Sequence, residues 1–219
     1  MTHYYDSGIP GVPPYPSVTT ITRRMLEEPP GIKMWKLRNK NWKEEMNYKA
    51  KIGTISHYRI LRKFSPSTLK LPELKFSDFP ENATMYADIA ESMFDDLGLD
   101  ISDPIYVEHI VRNHEYRYAG TLDMAARING KFTLVDLKTS AYDKRYGIRE
   151  EYKLQLGGYY GAFDHKGEKP EAAAIIYINP FEEKNPELKA KVVYMPIEDV
   201  KIYMVKFQEM ATEFHKLNC

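Results

Sequence analysis

The sequence predicts a mixed α/β domain in which helices cover a central sheet. Three observations lead there. Apolar residues recur at helical spacing up to about Leu97 and then switch to strict alternation. Asn129-Gly130 joins two alternating runs, the strongest short-range hairpin signal. Beyond that hairpin the pattern continues as helix, strand, strand, helix.

Each element has its own justification. Residues 1–16 hold four prolines and read as an extended N-terminal arm. Residues 17–219 read as one domain, with a helical N-terminal portion over 17–97 and a sheet core over 104–219. Ser17 caps a helix over Val18 to Glu27, because its hydroxyl can accept a first-turn amide. Glu28-Pro29-Pro30-Gly31 stops it. A second helical region runs from Ile32 past Trp35 and Trp42, and a third from Tyr48 to Leu61 carries His57. Residues 65–82, rich in Pro and Ser, predict a crossing segment. Met85, Ile89, Met93 and Leu97 then form an apolar stripe, with Gly98 as the C-cap. The runs 104–111, 115–128 and 131–139 predict three antiparallel strands, followed by a helix over Arg149 to Phe163. Residues 172–179 and 189–195 predict two more strands, and Ile197 to Leu217 a closing helix.

Composition narrows the class. A chain of 219 residues can bury a sizeable core, and 43% apolar with 28% charged residues is ordinary for a globular protein. The single cysteine, Cys219, excludes an intrachain disulfide and a cysteine-rich metal site. No secretory leader and no apolar run of membrane-spanning length is visible, so the expectation is an intracellular protein, cytoplasmic or nucleoid-associated. Formal net charge is zero, but ten Lys or Arg against two Glu lie between Lys33 and Lys63, and nine acids without a base lie from Asp78 to Glu108. That asymmetry fits a face attractive to a polyanion, and it equally fits two oppositely charged solvated faces.

The hairpin carries the chemistry. A two-residue loop at Asn129-Gly130 pairs Ile128 with Lys131, and counting back sets Ala125 opposite Leu134 and Asp123 opposite Asp136. Directly opposed strand residues have Cβ atoms about 4.5–5.5 Å apart. Lys138 then faces the same way, beside Thr121, while Leu122, Met124, Val135 and Leu137 occupy the other face. Opposed carboxylates repel, at a cost that grows with burial. A hard divalent cation, Mg²⁺ or Mn²⁺, removes that cost. A solvated Asp-Lys cross-strand pair is the alternative. With a turn at Asn113-His114, Glu108 pairs with Ala119 and shares the face of Asp123; otherwise it is an exposed strand residue. Carboxylate-held metal beside a lysine suits phosphodiester hydrolysis.

At Gly120-Thr121-Leu122-Asp123, Val135-Asp136-Leu137-Lys138 and Gln155 to Tyr160 the sequence resembles the PD-(D/E)XK nuclease superfamily, in particular its RecB-like exonuclease branch and the related CRISPR-associated adaptation nucleases. The resemblance extends from Pro16 to Ile21 and through Gly53 to His57. It implies a restriction-endonuclease-like core, a central mixed sheet flanked by helices. It implies Asp123 and Asp136 as acidic metal ligands, Lys138 as the catalytic lysine, His57 and the backbone carbonyl of Leu137 as further ligands, and Glu108 as an auxiliary acid. Gln155 and Tyr159 match a Q-x-x-x-Y helix that contacts substrate, and their spacing puts them on one helical face. The four cysteines of related iron-sulfur nucleases are absent, so no cluster is expected.

The implied activity is a metal-dependent deoxyribonuclease, an exonuclease or end-processing enzyme acting on single-stranded DNA or duplex ends. An inactive nuclease-fold DNA-binding or complex-forming protein and a structure-specific endonuclease are the alternatives. The basic span Lys33 to Lys63, with Trp35 and Trp42, and the group Lys144, Arg145 and Arg149 are the candidate DNA contacts. No G-x-x-x-x-G-K-S/T loop is present, so unwinding would come from a helicase or recombination partner. Gly157, Gly158 and Gly161 each disfavour a free helix by about 1 kcal/mol relative to Ala, which predicts close approach to the sheet or substrate.

Overall fold

The computed structural model describes residues 3–65, 74–163, 168–181 and 190–218. Residues 66–73 of the expected crossing segment lie outside the described residues. Helices α1 (Val18–Met25), α2 (Pro30–Arg38), α3 (Trp42–Arg62) and α4 (Ala83–Asp95) precede strands β3 (Ile101–Asn113), β4 (Tyr118–Ile128) and β5 (Lys131–Lys138). Helix α5 (Glu150–Ala162), strands β6 (Ala172–Ile178) and β7 (Ala190–Pro196), and helix α6 (Ile197–Leu217) complete the chain. The five long strands form one sheet in the order β3-β4-β5-β6-β7. Strand β6 runs parallel to β5 while the other neighbours are antiparallel, so the sheet is mixed. Helix α5 supplies the crossover that a parallel connection requires. This is the expected α/β architecture, a mixed central sheet flanked by helices, consistent with a restriction-endonuclease-like core.

Both faces of the sheet are covered. Helices α1, α5 and α6 bury Val18, Ile21, Leu154, Phe207 and Phe214 against Leu134 and Ile175. Helices α3 and α4 bury Ile60, Leu61, Met93 and Phe94 against Met124, Val135, Leu137 and Ile176. Strands β5 and β6 accordingly read as nearly continuous buried runs. Leu122, expected with Met124, groups with the first cluster. Both residues still pair with β3, and the change of face falls opposite the kinked Glu108 (φ 47°).

Local chemistry explains most of the elements and corrects some expectations. Ser17 caps α1, its Oγ accepting from the Thr20 amide at 3.0 Å. The second helical region breaks at 39–41 before α3 begins at Trp42. In α4 the buried stripe is Ala83, Ala87, Ala90, Met93 and Phe94, and Met85 is 48% exposed. Alanines win the inner face because they let α4 come close to Ile52 and Ile55 of α3.

The expected extended arm is instead partly folded. Tyr4–Tyr5 (β1) pair antiparallel with Tyr15–Pro16 (β2), and Ser17 bridges in parallel to Ala119 of β4. Ser7 Oγ, hydrogen-bonded to the carbonyls of Ile9 and Val12, closes the intervening loop.

The β4–β5 hairpin turns at Asn129 (φ 50°) and Gly130 (φ 81°), the two left-handed positions that a type I′ turn demands. Its register is the expected one from Ile128↔Lys131 to Met124↔Val135. The β3–β4 register differs by four residues from that expected. Asn113 pairs with Tyr118, and the turn occupies 114–117 because Asn113 Oδ1 takes the Tyr116 amide at 2.9 Å. An asparagine that caps a longer turn replaces the tight Asn-His turn. The glycines of α5 serve helix packing: a Cβ on Gly157 would stand 2.4 Å from the Tyr203 backbone carbon of α6, and one on Gly158 would meet Phe207 at 3.1 Å. Gly157 and Gly158 thus approach α6, whereas a Cβ on Gly161 would first meet the Tyr118 hydroxyl of β4 at 2.8 Å, the expected approach to the sheet.

Candidate active site

The site opens where the central hairpin stops pairing. The β4–β5 ladder ends at Met124↔Val135, one step before Asp123 and Asp136 would face each other. Asp123 Oδ2 instead accepts the Leu137 N–H at 2.7 Å, so a side chain replaces a ladder partner. In an extended strand the N–H and C=O of one residue leave on the same edge, so the Leu137 carbonyl also faces the β4 side of this opening.

Asp136 is only 4% exposed. Its Oδ2 lies 2.7 Å from Lys138 Nζ as an ion contact, yet this buried oxygen accepts no well-formed hydrogen bond among the described residues. Lys138 donates instead to Gln155 Oε1 at 3.0 Å and stands 4.7 Å from the centre of the Tyr152 ring. Helix α3 brings His57 from the other side, with Nδ1 3.9 Å from Asp123 Oδ2. Gly53, one turn earlier, lets α3 approach Thr139, whose Oγ1 would lie 3.4 Å from an added Cβ.

Glu108 arrives by a different register from the one expected. The pairs Val107↔Met124 and His109↔Leu122 set it across from Asp123. An even shift of four preserves the strand face, which is why the expected proximity survives the wrong turn. Its φ of 47° departs from the strand region, so the β3 backbone is kinked beside the acids.

Burial dominates the electrostatics. It raises Asp136 to about 6, opposed by Lys138 and reinforced by Asp123. It raises Asp123 against the pull of Lys138 and the Leu137 amide. Burial and then the Asp123 charge push Glu108 up to about 7. Burial and Lys138 push His57 down to about 4, leaving a neutral imidazole at pH 7. Burial alone would lower Lys138, but Asp136 and Asp123 outweigh it and keep the ammonium charged.

The remaining candidates divide. Gln155 and Tyr159 are both 7% exposed and face the site from α5. The carbonyl of Gln155 holds Lys138, and the Tyr159 ring lies over Gly120, where an added Cβ would be 2.7 Å away. Lys144 and Arg145 are exposed, and Arg145 is paired with Asp143 at 2.7 Å. Arg149 precedes α5 and stacks 5.6 Å from the Tyr152 ring. In the basic span, Arg59 and Lys63 turn toward Asp88, Glu91 and Asp95 of α4, so part of the sequence asymmetry is neutralised between two helices.

Sequence reasoning missed Tyr152 and Tyr5. Tyr152 lies three residues before Gln155 on the same helical face, a signal present in the spacing. Tyr5 had none: only the β1–β2 pairing brings its hydroxyl to Thr121 Oγ1 at 2.9 Å.

The donor set suits a hard cation: carboxylates, a neutral imidazole and a backbone carbonyl. Among the described residues, no three His, Cys, Asp or Glu side chains converge as a ready-formed cage. No described helix is long and apolar enough to cross a membrane.

No protein-family model matches the sequence, and no curated protein matches it. Among solved structures, an alkaline exonuclease from Laribacter hongkongensis is similar at 8% identity and a TM-score of 0.38, over 92% of this chain and 91% of that one. The same exonuclease in complex with dAMP is similar at 11% identity and a TM-score of 0.35, over 80% and 97% of the two chains.

Proposed function

We propose that the chain is a metal-dependent deoxyribonuclease, an exonuclease or end-processing enzyme of replication, recombination or repair. One observation carries this reading: Asp123, Asp136 and Lys138 meet at the opening of the hairpin, where the buried Asp136 Oδ2 lies 2.7 Å from the Lys138 ammonium. One buried and one half-buried carboxylate beside one lysine leave excess negative charge that a divalent cation would neutralise.

Asp123, Asp136, His57 and the Leu137 carbonyl would hold Mg²⁺ or Mn²⁺, and Glu108 stands beside Asp123 to assist. Such an ion, when bound, polarises a phosphoryl oxygen and lowers the pKa of coordinated water. The protein's own groups do the rest. Lys138, kept charged by Asp136 and Asp123, offers a fixed donor to charge that develops on the phosphate. Gln155 and the Tyr152 ring hold that ammonium in place. Glu108, raised to about 7 before a cation binds, is suited to exchange a proton with water near neutral pH.

Incubation with end-labelled single-stranded and duplex DNA in Mg²⁺, Mn²⁺ or chelator tests the reading. Metal-dependent shortening from one end supports it. Well-folded protein that binds DNA and releases no product in either metal rejects the enzyme.

A further inference from the structure

Beside Lys138, on the neighbouring strand, lies a group that the proposed chemistry does not use. Tyr177 of β6 pairs with Lys138 across the parallel ladder, so their side chains share a face. Tyr177 is 3% exposed, and its hydroxyl has no hydrogen-bond partner among the described residues. Burying an unpaired hydroxyl costs stability, so its retention invites a partner from outside the chain.

The surroundings specify that partner. The Tyr142 ring lies 5.2 Å from that of Tyr177 and the Tyr152 ring 6.4 Å away, both tilted. Lys191 stands 4.8 Å from the centre of the Tyr142 ring, and Arg149 stands 5.6 Å from that of Tyr152. A cation held against a ring face is fixed in position. Lys191 pairs with Tyr177 across the β6–β7 ladder, so one buried O–H donor lies between the proposed catalytic lysine and Lys191, with Arg149 on the neighbouring Tyr152 ring. Glu151 lies 3.7 Å from Arg149 and Asp136 pairs with Lys138, yet Arg149, Lys191 and the hydroxyl donor all complement a phosphate oxygen.

We infer that Tyr177, Arg149 and Lys191 form a second phosphate subsite, which holds a phosphodiester of the bound DNA strand next to the one to be cleaved. The Tyr177 hydroxyl donates to a phosphate oxygen, and Tyr142 and Tyr152 fix the cations that flank it. Tyr177 is thus a substrate-positioning residue. The inference rests on the nuclease reading.

Its test separates binding from cleavage. A labelled single-stranded DNA oligonucleotide is titrated by fluorescence anisotropy into the full chain and into Tyr177→Phe, in chelator. Loss of a hydrogen bond to a charged oxygen weakens binding roughly tenfold, while the variant melts at the same temperature as the parent or higher. Arg149→Gln and Lys191→Gln each reduce the slope of log affinity against log salt by about 0.7. Replacing single linkages by uncharged methylphosphonate finds one position that weakens the parent but leaves Tyr177→Phe unchanged. Equal affinity of Tyr177→Phe and the parent at every linkage overturns the subsite, as does failure of the parent to bind the oligonucleotide. Metal-dependent cleavage by the parent, measured alongside, survives if only the subsite is wrong and is absent if the nuclease reading itself fails.

Discussion

At the residue scale the candidate site is a set of ionisable groups held at a cost. Glu108 titrates near 7 in the folded chain and near 4.5 when unfolded, so the folded state binds the extra proton between those values. Its favourable contribution is present below about pH 4.5 and lost as pH rises through about 7. The variant Glu108→Gln should therefore gain stability relative to the metal-free parent across this window. The gain should reach about 1–2 kcal/mol at pH 8 after solvent screening, read as a growing difference in melting temperature. Asp136 follows the same sign from 3.8 to about 6. Asp136→Asn should melt higher than the metal-free parent at pH 8 and lose at least about a hundredfold in cleavage rate. A fall in stability for both variants would contradict burial as the dominant influence on these carboxylates.

At the element scale, the hairpin and helix α5 fix the site. Asn129-Gly130 made the β4–β5 register legible, because the left-handed pair allows only one tight pairing of the flanking runs. Opposition of the two aspartates was legible only in part. Nothing in the residue order announces that the Asp123 side chain takes the Leu137 amide and ends the ladder. The β3–β4 turn misled because an asparagine can close a tight turn or cap a longer one, and local sequence does not choose between them. The glycines of α5 signalled close approach, but only the tertiary structure names α6 as the neighbour of Gly157 and Gly158. Gly157→Ala tests that contact. Helix propensity favours alanine by about 1 kcal/mol, yet a Cβ 2.4 Å from backbone carbon forces α5 and α6 apart. Overpacking of this kind costs about 1–3 kcal/mol, so the variant should melt lower than the parent. An unchanged or higher melting temperature would contradict the packing.

Across the whole molecule, the sheet is a support covered on both faces, with the candidate site where the central strands part. Charge is arranged on the same scale. Arg59 and Lys63 of the basic stretch face Asp88, Glu91 and Asp95 across α3 and α4, and so the sequence asymmetry overstates the surface field in part. Neutralising Arg59 and Lys63 together should change oligonucleotide affinity less than Arg149→Gln alone, as read by anisotropy at fixed salt. Metal linkage is a second global readout. A cation that binds only the folded chain at a hundred times its Kd stabilises by about 2.7 kcal/mol, so Mn²⁺ should raise the melting temperature of the parent and leave Asp136→Asn nearly unmoved.

The most direct measurement is cleavage of one labelled DNA by the parent and Asp136→Asn, side by side in Mn²⁺, with both confirmed folded by circular dichroism. The predicted result is product from the parent alone, abolished by chelator. Equal product from both proteins, or product that persists in chelator, would contradict a nuclease centred on the opened hairpin.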